Sequence, residues 1–579
     1  MPPSSLFLVL RRLRAPLIAL ILIYALTIAG LVIIPGADER GHPVRMDFLH
    51  AFYFVSYTAT TIGFGEIPHA FTDAQRLWVT FCIYLTVIGW SYAFVKLLAL
   101  LQDPWFRQAL LTQHFRLQVQ RLTEPFCIVC AYGDTGSLLC RALDDLGRRF
   151  VVIDLEAARV AEVDVAGYRM DAPALTGDAC NPEILLTAGL RHRCCHAVLA
   201  LTNDDRVNLA IAAAARLLNP DITVLGRADK PATAADMALF RVDHLIDPHR
   251  KFGDYLAMAI ESPGSYQLQQ WLTGMPGTSL GRQTEPPRGH WIVYGEGLFA
   301  DAVTQRLQSL DMTMVSRLTS RGARTAGVPA PPHEWPDAAA STRSLSDLIA
   351  SADIDSALGF VAGSDDDIRN LSIVVAARQM KPDLFFVVRQ NREISQALFE
   401  AFQSDITVTS SAVVVHECLA RLNTPLLPRF LDHVATQNDA WADATLLKLR
   451  TRVSREVPTI WTVELTDSAA PGCVDLLRLP SVVLRLDHLI RDPDNREAHL
   501  PSVALMITRR DGTELIMPPS DTALEIGDHI LFAGTPTCER RQAIAVLNVN
   551  VLQYVYFGRY VPTSWVWRKA LNGWKGASA

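Results

Sequence analysis

The chain has 579 residues, half of them hydrophobic and a fifth charged, with a formal net charge of −6. At roughly 100–200 residues per domain, that length predicts three to five domains. The composition is too apolar for a disordered chain and too polar for a bundle made mostly of membrane spans. Its acidic balance excludes a nucleic-acid binder that works through a basic surface.

Residues 15–37 carry no charge until the last turn is complete, enough to cross a hydrocarbon core of about 30 Å as a helix. Arg11, Arg12 and Arg14 precede this run, and Asp38 and Glu39 follow it. The basic flank predicts a cytoplasmic N-terminus. The run is too long for a signal peptide and has no small-residue cleavage site. A second uncharged run lies between Arg76 and Lys96 and predicts a spanning helix over 76–96. If both cross, the chain beyond is cytoplasmic again, and the protein is a multi-pass protein of the inner membrane. Gly89 sits past the middle of the second helix, as a bending point for a gate or as a small residue for close packing.

Between the two runs, residues 47–68 read as a short apolar helix followed by Thr60-Thr61-Ile62-Gly63-Phe64-Gly65-Glu66. The helix is too short to span, so the segment must enter the membrane and return. Glycines alternating with bulky residues allow successive carbonyls to point one way. Four copies around an axis make stacked rings of oxygens that replace an ion's hydration shell, which requires a homotetramer in contact with membrane lipid.

This segment resembles the selectivity filter of potassium channels, usually written TVGYGD. The resemblance implies K+ as the permeant ion. It gives carbonyl roles to Thr61, Ile62, Gly63 and Phe64, a hydroxyl role to Thr61, and closure of the outer mouth to Gly65. Ile62 replaces Val conservatively. Phe64 replaces Tyr and removes a hydroxyl that could brace the filter from behind. Glu66 replaces Asp and lengthens the carboxylate.

The soluble part is a duplication. Thr202 to Asp221 matches Ser364 to Asp383, with Asn208 paired to Asn370, Arg216 to Arg378 and Pro220 to Pro382 at an offset of 162. Each copy alternates β-branched runs with helical patterns, which predicts βαβ units on a parallel sheet. The fold class is therefore a membrane α-helical pore plus α/β, with two Rossmann-like doubly wound domains and a small α+β C-terminal lobe. The expected boundaries are a pore module at 1–96, a linker at 97–124 and a first Rossmann-like domain at 125–247. Crossover helices follow at 248–287, a second such domain at 288–411 and a helical connector at 412–457. The lobe takes 458–536 and a tail 537–579, which is expected to pack against the rest.

In the first copy the glycine fingerprint reads Ala131-x-Gly133-x-x-Gly136, with Asp134 and Thr135 inside it. Gly133 allows a phosphate to approach, Gly136 allows close helix–strand packing, and the helix N-terminus offers free N–H groups to a pyrophosphate. Asp154, followed by Leu155, stands at the spacing where an acid accepts from ribose hydroxyls. Asp178-Ala179 and Thr202-Asn203 fall at strand C-terminal ends, where open α/β sheets bind ligands. These residues predict an adenine nucleotide with an unphosphorylated ribose: NAD, ADP or ATP. The second copy offers Gly295-Glu296-Gly297-Leu298, but its next strand reaches Ser316-Arg317 without an acid. That leaves either a second ligand site or a copy retained for assembly.

Together these features resemble the RCK (regulator of potassium conductance) domains, which sense ligands below potassium pores. The resemblance implies a ring under the pore and dimer contacts through the crossover helices. A divalent cation is a further possibility near His244, His249, Asp243, Asp247 and Asp254. The pair Cys127 and Cys130 lies in a strand-like run, where side chains three apart face opposite ways and cannot chelate or form a redox couple. The reading is a tetrameric, ligand-gated potassium channel and no enzyme. The alternative is a membrane-tethered NAD-dependent oxidoreductase or redox sensor. It has no use for Thr60–Glu66, and the sequence supplies no proton donor or substrate domain for it.

Overall fold

The computed structural model describes residues 5–558 except 38–41, 68, 275, 279–284, 311–313, 320–321, 326–344, 425 and 480–481. The chain divides into two compact units, Met1–Arg121 and Leu122–Ala579.

The first unit holds α1 (Ser5–Ile33), a small antiparallel pair β1 (Gly36–Ala37) and β2 (Pro43–Val44), α2 (Phe48–Ala59), α3 (Asp73–Gln102) and α4 (Pro104–Gln120). At 1.5 Å per residue, the 29 residues of α1 and 30 of α3 exceed the thickness of a hydrocarbon core, whereas the 12 of α2 do not. The second spanning helix starts earlier than residue 76 because Thr72 caps it. The Thr72 hydroxyl accepts from Gln75 N–H and the Gln75 side chain accepts from Thr72 N–H. It also continues past Lys96, so most of the expected linker is helical. Val79 of α3 joins Ile28, Leu31, Ala51 and Val55 in a buried cluster of this unit. Leu17, Ile21, Leu22, Leu77, Tyr84 and Ile88 are exposed, an apolar surface suited to lipid.

The second unit opens with β3 (Phe126–Cys130), α5 (Asp134–Asp145), β4 (Arg149–Asp154), α6 (Ala157–Val165), β5 (Ala174–Thr176), α7 (Pro182–Thr187), β6 (Cys195–Ala200), α8 (Asp205–Leu218), β7 (Thr223–Arg227), α9 (Pro231–Leu239) and β8 (His244–Ile246). The strands form a parallel sheet in the order β5-β4-β3-β6-β7-β8, the doubly wound arrangement. Two helices follow, α10 (Pro248–Glu261) and α11 (Pro263–Thr273).

The second copy repeats the plan with β9 (His290–Tyr294), α12 (Leu298–Gln308), β10 (Met314–Thr319), β11 (Gly322–Thr325), α13 (Leu345–Ala350), β12 (Ala357–Ala362), α14 (Asp367–Met380), β13 (Phe385–Gln390), α15 (Gln396–Phe402) and β14 (Ile406–Thr409). Its order is β11-β10-β9-β12-β13-β14, parallel except at the edge, where β10 and β11 are antiparallel. Two residues separate those strands in sequence, which permits a hairpin but no parallel crossover.

Helices α16 (Ser410–Asn423), α17 (Leu426–Thr436) and α18 (Asp439–Arg452) lead to the lobe. Its strands are β15 (Thr459–Glu464), β16 (Ser502–Thr508), β17 (Glu514–Ile516) and β18 (His529–Gly534), all antiparallel. Short helices α19 (Pro471–Leu477) and α20 (Leu486–Ile490) precede β16, and α21 (Pro536–Leu547) and α22 (Val549–Phe557) close the described chain. Leu552 and Val555 of α22 are buried, and Leu552 lies in the core of the lobe, so the part of the tail within the described residues packs on it.

The two Rossmann-like copies exchange helices. Val414, Val415, Cys418 and Leu419 of α16, from the second copy, complete the core of the first. In return Phe252, Leu256 and Ile260 of α10, from the first, sit in the core of the second. Phe252 stacks on Phe299 with ring centroids 5.4 Å apart.

The residues that carry the sequence repeat turn out to be staples of this fold. Asn208 is fully buried, accepts from Thr202 N–H and donates to the carbonyls of Thr202 and Arg227. Asn370 does the same with Ser364 and Arg389. Arg216 donates to the carbonyls of Pro220 and Arg241, and Arg378 to those of Phe402 and Gln403. Replacing Asn208 by Ala leaves buried backbone groups unpaired, and each such group costs about 1–3 kcal/mol. Thermal unfolding of the purified Asn208→Ala protein is expected at a clearly lower temperature than the parent. An unchanged transition would remove the staple role.

Candidate functional site

Two sites were expected, one in each unit. The first lies in the loop after α2. Asp47 caps that helix by accepting from Leu49 N–H. At the other end, the chain turns at once into a run whose handedness alternates: Thr61 has φ 62°, Gly63 φ 65° and Gly65 φ 76°, while Ile62 and Phe64 are not in the positive region. Left-handed residues at every second position turn successive carbonyls to one side. Gly63 and Gly65 adopt this freely, and a Cβ at either would meet nothing within 4 Å, so their requirement is conformational. Thr61 adopts it against its β-branched side chain, a strain of the kind stored at functional backbone.

The strain is held by the pore helix. Ile62 and Gly63 N–H both donate to the Tyr57 carbonyl, at 2.9 and 3.2 Å, and Thr61 N–H donates to the Thr58 carbonyl at 3.1 Å. The donors of Ile62 and Gly63 thus face α2, and the Thr61 and Ile62 carbonyls, trans to them in the same peptide planes, point away from it. The C-terminal end of α2, with its partial negative charge, also leads straight into this run and favours a cation there. In the single chain Ile62 and Phe64 are 59% and 63% exposed, which leaves their side available to other copies.

The brace expected to be lost with Phe64 is supplied from elsewhere. Tyr57 hydroxyl donates to the Glu66 carbonyl at 3.0 Å, Tyr53 hydroxyl donates to the Glu66 carboxylate at 3.2 Å, and Phe64 packs edge-on against Tyr57. Tyr53 and Tyr57 are functional positions that the motif alone does not mark. One turn of helix separates them, and that spacing is the only sequence signal. Gly89 lies in an unbroken stretch of α3, and a Cβ there would come 2.5 Å from Ile23 Cδ1. It is one of two close approaches of α1 and α3, the other being Gly30, where a Cβ would come 2.0 Å from the Trp78 ring.

The second site is a cleft of about 710 Å³ at the C-terminal ends of β3, β4 and β6, a size that suits a small-molecule ligand. It brings together all the residues expected of the first copy: Ala131, Gly133, Asp134, Thr135, Gly136, Asp154, Leu155, Asp178, Ala179, Thr202 and Asn203. Ala131, where the fingerprint usually has its first glycine, keeps the glycine conformation at φ 88°. Gly136 is required by contact, since a Cβ would lie 2.0 Å from the Ala131 carbonyl oxygen. Asp154 is buried and already accepts from Tyr132 N–H at 2.6 Å and Glu156 N–H at 2.8 Å. It therefore shapes the loop as well as lining the cleft.

Arg159 was not expected. Its Nη1 lies 2.6 Å from where a Gly133 Cβ would be, so a guanidinium rests directly on the phosphate-approach glycine. Arg227 also lines the cleft but is engaged in two bonds of 2.8 Å to Asp229. Cys180 in the same cleft is a neutral thiol: burial, with Asp178 beside it, pushes it up to about 11.

The second copy differs at the same places. The strand register puts Thr319 at the position of Asp154. Gly295 and Gly297 have φ 128° and 97°, and Glu296 and Leu298 complete the loop. Arg317 fills the space beneath it, donating to the Gly295 carbonyl at 3.0 Å, Thr304 Oγ1 at 2.8 Å and Asp301 at 2.8 Å. Phe299, in the place of Thr135, is buried against Phe252, His249 and Arg389.

Four of the five residues considered for a divalent cation serve another partner. Asp243 binds Arg216 and Val224 N–H, Asp247 caps α10, Asp254 pairs with Arg306, and His249 faces Asp229. Among the described residues no group of three or more His, Cys, Asp or Glu is gathered as a metal site. Cys127 and Cys130 are buried in β3, and burial pushes the Cys127 thiol up to about 12, which makes it inert as a thiolate.

A short helix and glycine-containing loop between two long apolar helices, followed in the chain by two Rossmann-like domains, combine a channel-like helical part with nucleotide-binding-type folds. Comparison with known proteins agrees with each half. Residues 17–103 match the ion channel family and residues 127–248 match the TrkA-N domain. Potassium channel protein 1 of Methanocaldococcus jannaschii is 24% identical over 218 residues, 38% of this chain and 63% of that protein. The chain thus matches somewhat less than two thirds of that relative's length. Probable potassium channel protein 2 of the same organism is 24% identical over 248 residues, 43% of this chain and 67% of that one. A solved structure titled "GsuK channel bound to NAD" superposes with a TM-score of 0.45 at 15% identity, covering 93% of this chain and 98% of that one. The two sequence relatives are named as potassium channels and not as enzymes.

Ala131 holds a left-handed conformation that costs an L-residue roughly 1–2 kcal/mol. Ala131→Gly is expected to raise the unfolding free energy by up to about 1 kcal/mol, measured by denaturant titration. A loss of stability would show that the loop relies on the methyl group.

Proposed function

We propose that the chain is the subunit of a homotetrameric potassium-selective channel, opened or closed by an adenine nucleotide in the first Rossmann-like domain. The single observation that carries this reading is the alternation of left-handed residues at 61, 63 and 65, with the N–H groups of Ile62 and Gly63 turned back to α2. Four such runs around an axis give rings of carbonyl oxygens from Thr61, Ile62, Gly63 and Phe64, which take the place of the water around a K+ ion. Cyclic assembly follows from the need to close the ring. The two apolar helices anchor the subunit in the membrane, with the basic N-terminal flank and the soluble unit on the cytoplasmic side.

The open cleft supports regulation by NAD, ADP or ATP. Gly133 and Gly136 give phosphate access, Arg159 supplies a cation, and the α5 N-terminus adds its dipole. Arg317 and Phe299 occupy the corresponding space in the second copy, so one nucleotide per chain is the expected stoichiometry. Moving a gate from 1:99 to 99:1 takes about 5.5 kcal/mol of differential affinity. Four sites then need about 1.4 kcal/mol each, a tenfold preference for one state. The covalent route to the gate runs from β3 back through α4 into α3, where bending at Gly89 requires Ile23 to give way.

Gly63→Ala places an L-residue at φ 65° in the run and misdirects its carbonyl. Potassium flux through reconstituted liposomes is expected to fall at least a hundredfold, while nucleotide binding, measured by calorimetry, stays within twofold. Undiminished selective flux would exclude this loop as the filter.

A further inference from the structure

The cleft of the first copy is not built by the first copy alone. Arg389 at the end of β13 and Ser410 and Ser411 at the start of α16 line it, and all three belong to the second copy. Thr135 hydroxyl, at the first turn of α5, donates to Ser411 Oγ at 3.0 Å across the boundary. The N-termini of two helices from different copies, α5 and α16, therefore open onto one space. A further cavity of about 320 Å³ adjoins it, with Asp134, Asn391 and Ser411 in both walls.

Arg389 is the cation on the far side. Its guanidinium lies 5.0 Å from the Phe299 ring centroid and gives one bond of 2.6 Å to Asp365, which is itself largely exposed. Its Nε is buried and has no hydrogen-bond partner. Its counterpart in the first copy, Arg227, is held by both oxygens of Asp229, while the matching position after Arg389 is the neutral Asn391. In the repeat the carboxylate and the amide change places: Asn203 and Asp229 around Arg227 become Asp365 and Asn391 around Arg389, so Arg389 keeps a carboxylate on Nη1 while its Nε is left without a partner. A buried guanidinium with an unused donor, beside two hydroxyls at a helix N-terminus, is chemistry for a phosphate.

We propose that a nucleotide seated on the Gly133 loop reaches across the boundary. Its first phosphate rests on the loop and Arg159, and its second is taken by Arg389 and the Ser410-Ser411 turn. The ligand then ties the two copies together, and a nucleoside diphosphate or dinucleotide binds where a monophosphate leaves the far side empty. This rests on the reading that the first cleft holds an adenine nucleotide.

The test is calorimetry on the purified full-length protein in detergent, with AMP and ADP as probes. ADP is expected to bind at least tenfold more tightly than AMP. Arg389→Gln should bring the two within twofold of each other by weakening ADP and leaving AMP unchanged. Ser411→Glu, which sets a carboxylate where the second phosphate belongs, should do the same without disturbing the Arg389–Asp365 pair. It decides the matter if Arg389→Gln loses AMP as well. An ADP preference that survives Ser411→Glu, or equal binding of AMP and ADP by the parent, overturns the proposal. Failure of the parent to bind either nucleotide removes the underlying reading of the cleft, and the proposal with it.

Discussion

Backbone hydrogen bonding in the short loop after α2 is the constraint on which the other features depend. From Thr61 to Gly65 the backbone alternates in handedness, and its N–H groups must find partners outside any regular element. The solution is to return the donors of Ile62 and Gly63 to the Tyr57 carbonyl and to brace Glu66 with two tyrosine hydroxyls. The caps and packing of α2 and α3 frame that loop. Asp47 fixes where α2 starts, Thr72 fixes where α3 resumes, and the α1–α3 pair holds both against lipid.

The second unit shows how a duplicated fold separates structure from binding. Asn208 and Asn370, and Arg216 and Arg378, do the same work in both copies because both sheets need their strand ends tied. Around the glycine loops the copies part. Asp154 gives way to Thr319, Thr135 to Phe299, and the space under the loop to Arg317. The exchange of α10 and α16 then makes the two copies a single packed body, so a change at the open cleft is felt by both.

Much of this was legible in the sequence. The two long apolar helices with a short helix between them, and the two Rossmann-like copies, follow from local pattern, and the residues expected at the first glycine loop line one cleft. What was missed shares one cause: it depends on contacts between residues far apart in the chain. Tyr53 and Tyr57 brace a loop 9–13 positions away, Arg159 reaches back over Gly133, and Phe299 is buried by a helix from the other copy. The repeat was read as a duplication from its matched residues, but their role as staples was not, because a hydrogen bond to a distant carbonyl leaves no periodic trace. The antiparallel edge strand β11 escaped notice for a related reason: a Gly-Ala-Arg-Thr stretch has no strand signature of its own and is held by its neighbour.

The central claim is that carbonyl oxygens from this loop discriminate between monovalent cations by replacing their water. The most direct measurement is the reversal potential of the reconstituted protein in a planar bilayer with potassium chloride on one side and sodium chloride on the other. A potential displaced close to the potassium equilibrium value is the predicted result. A reversal at zero, with measurable current carried by either ion, would contradict it.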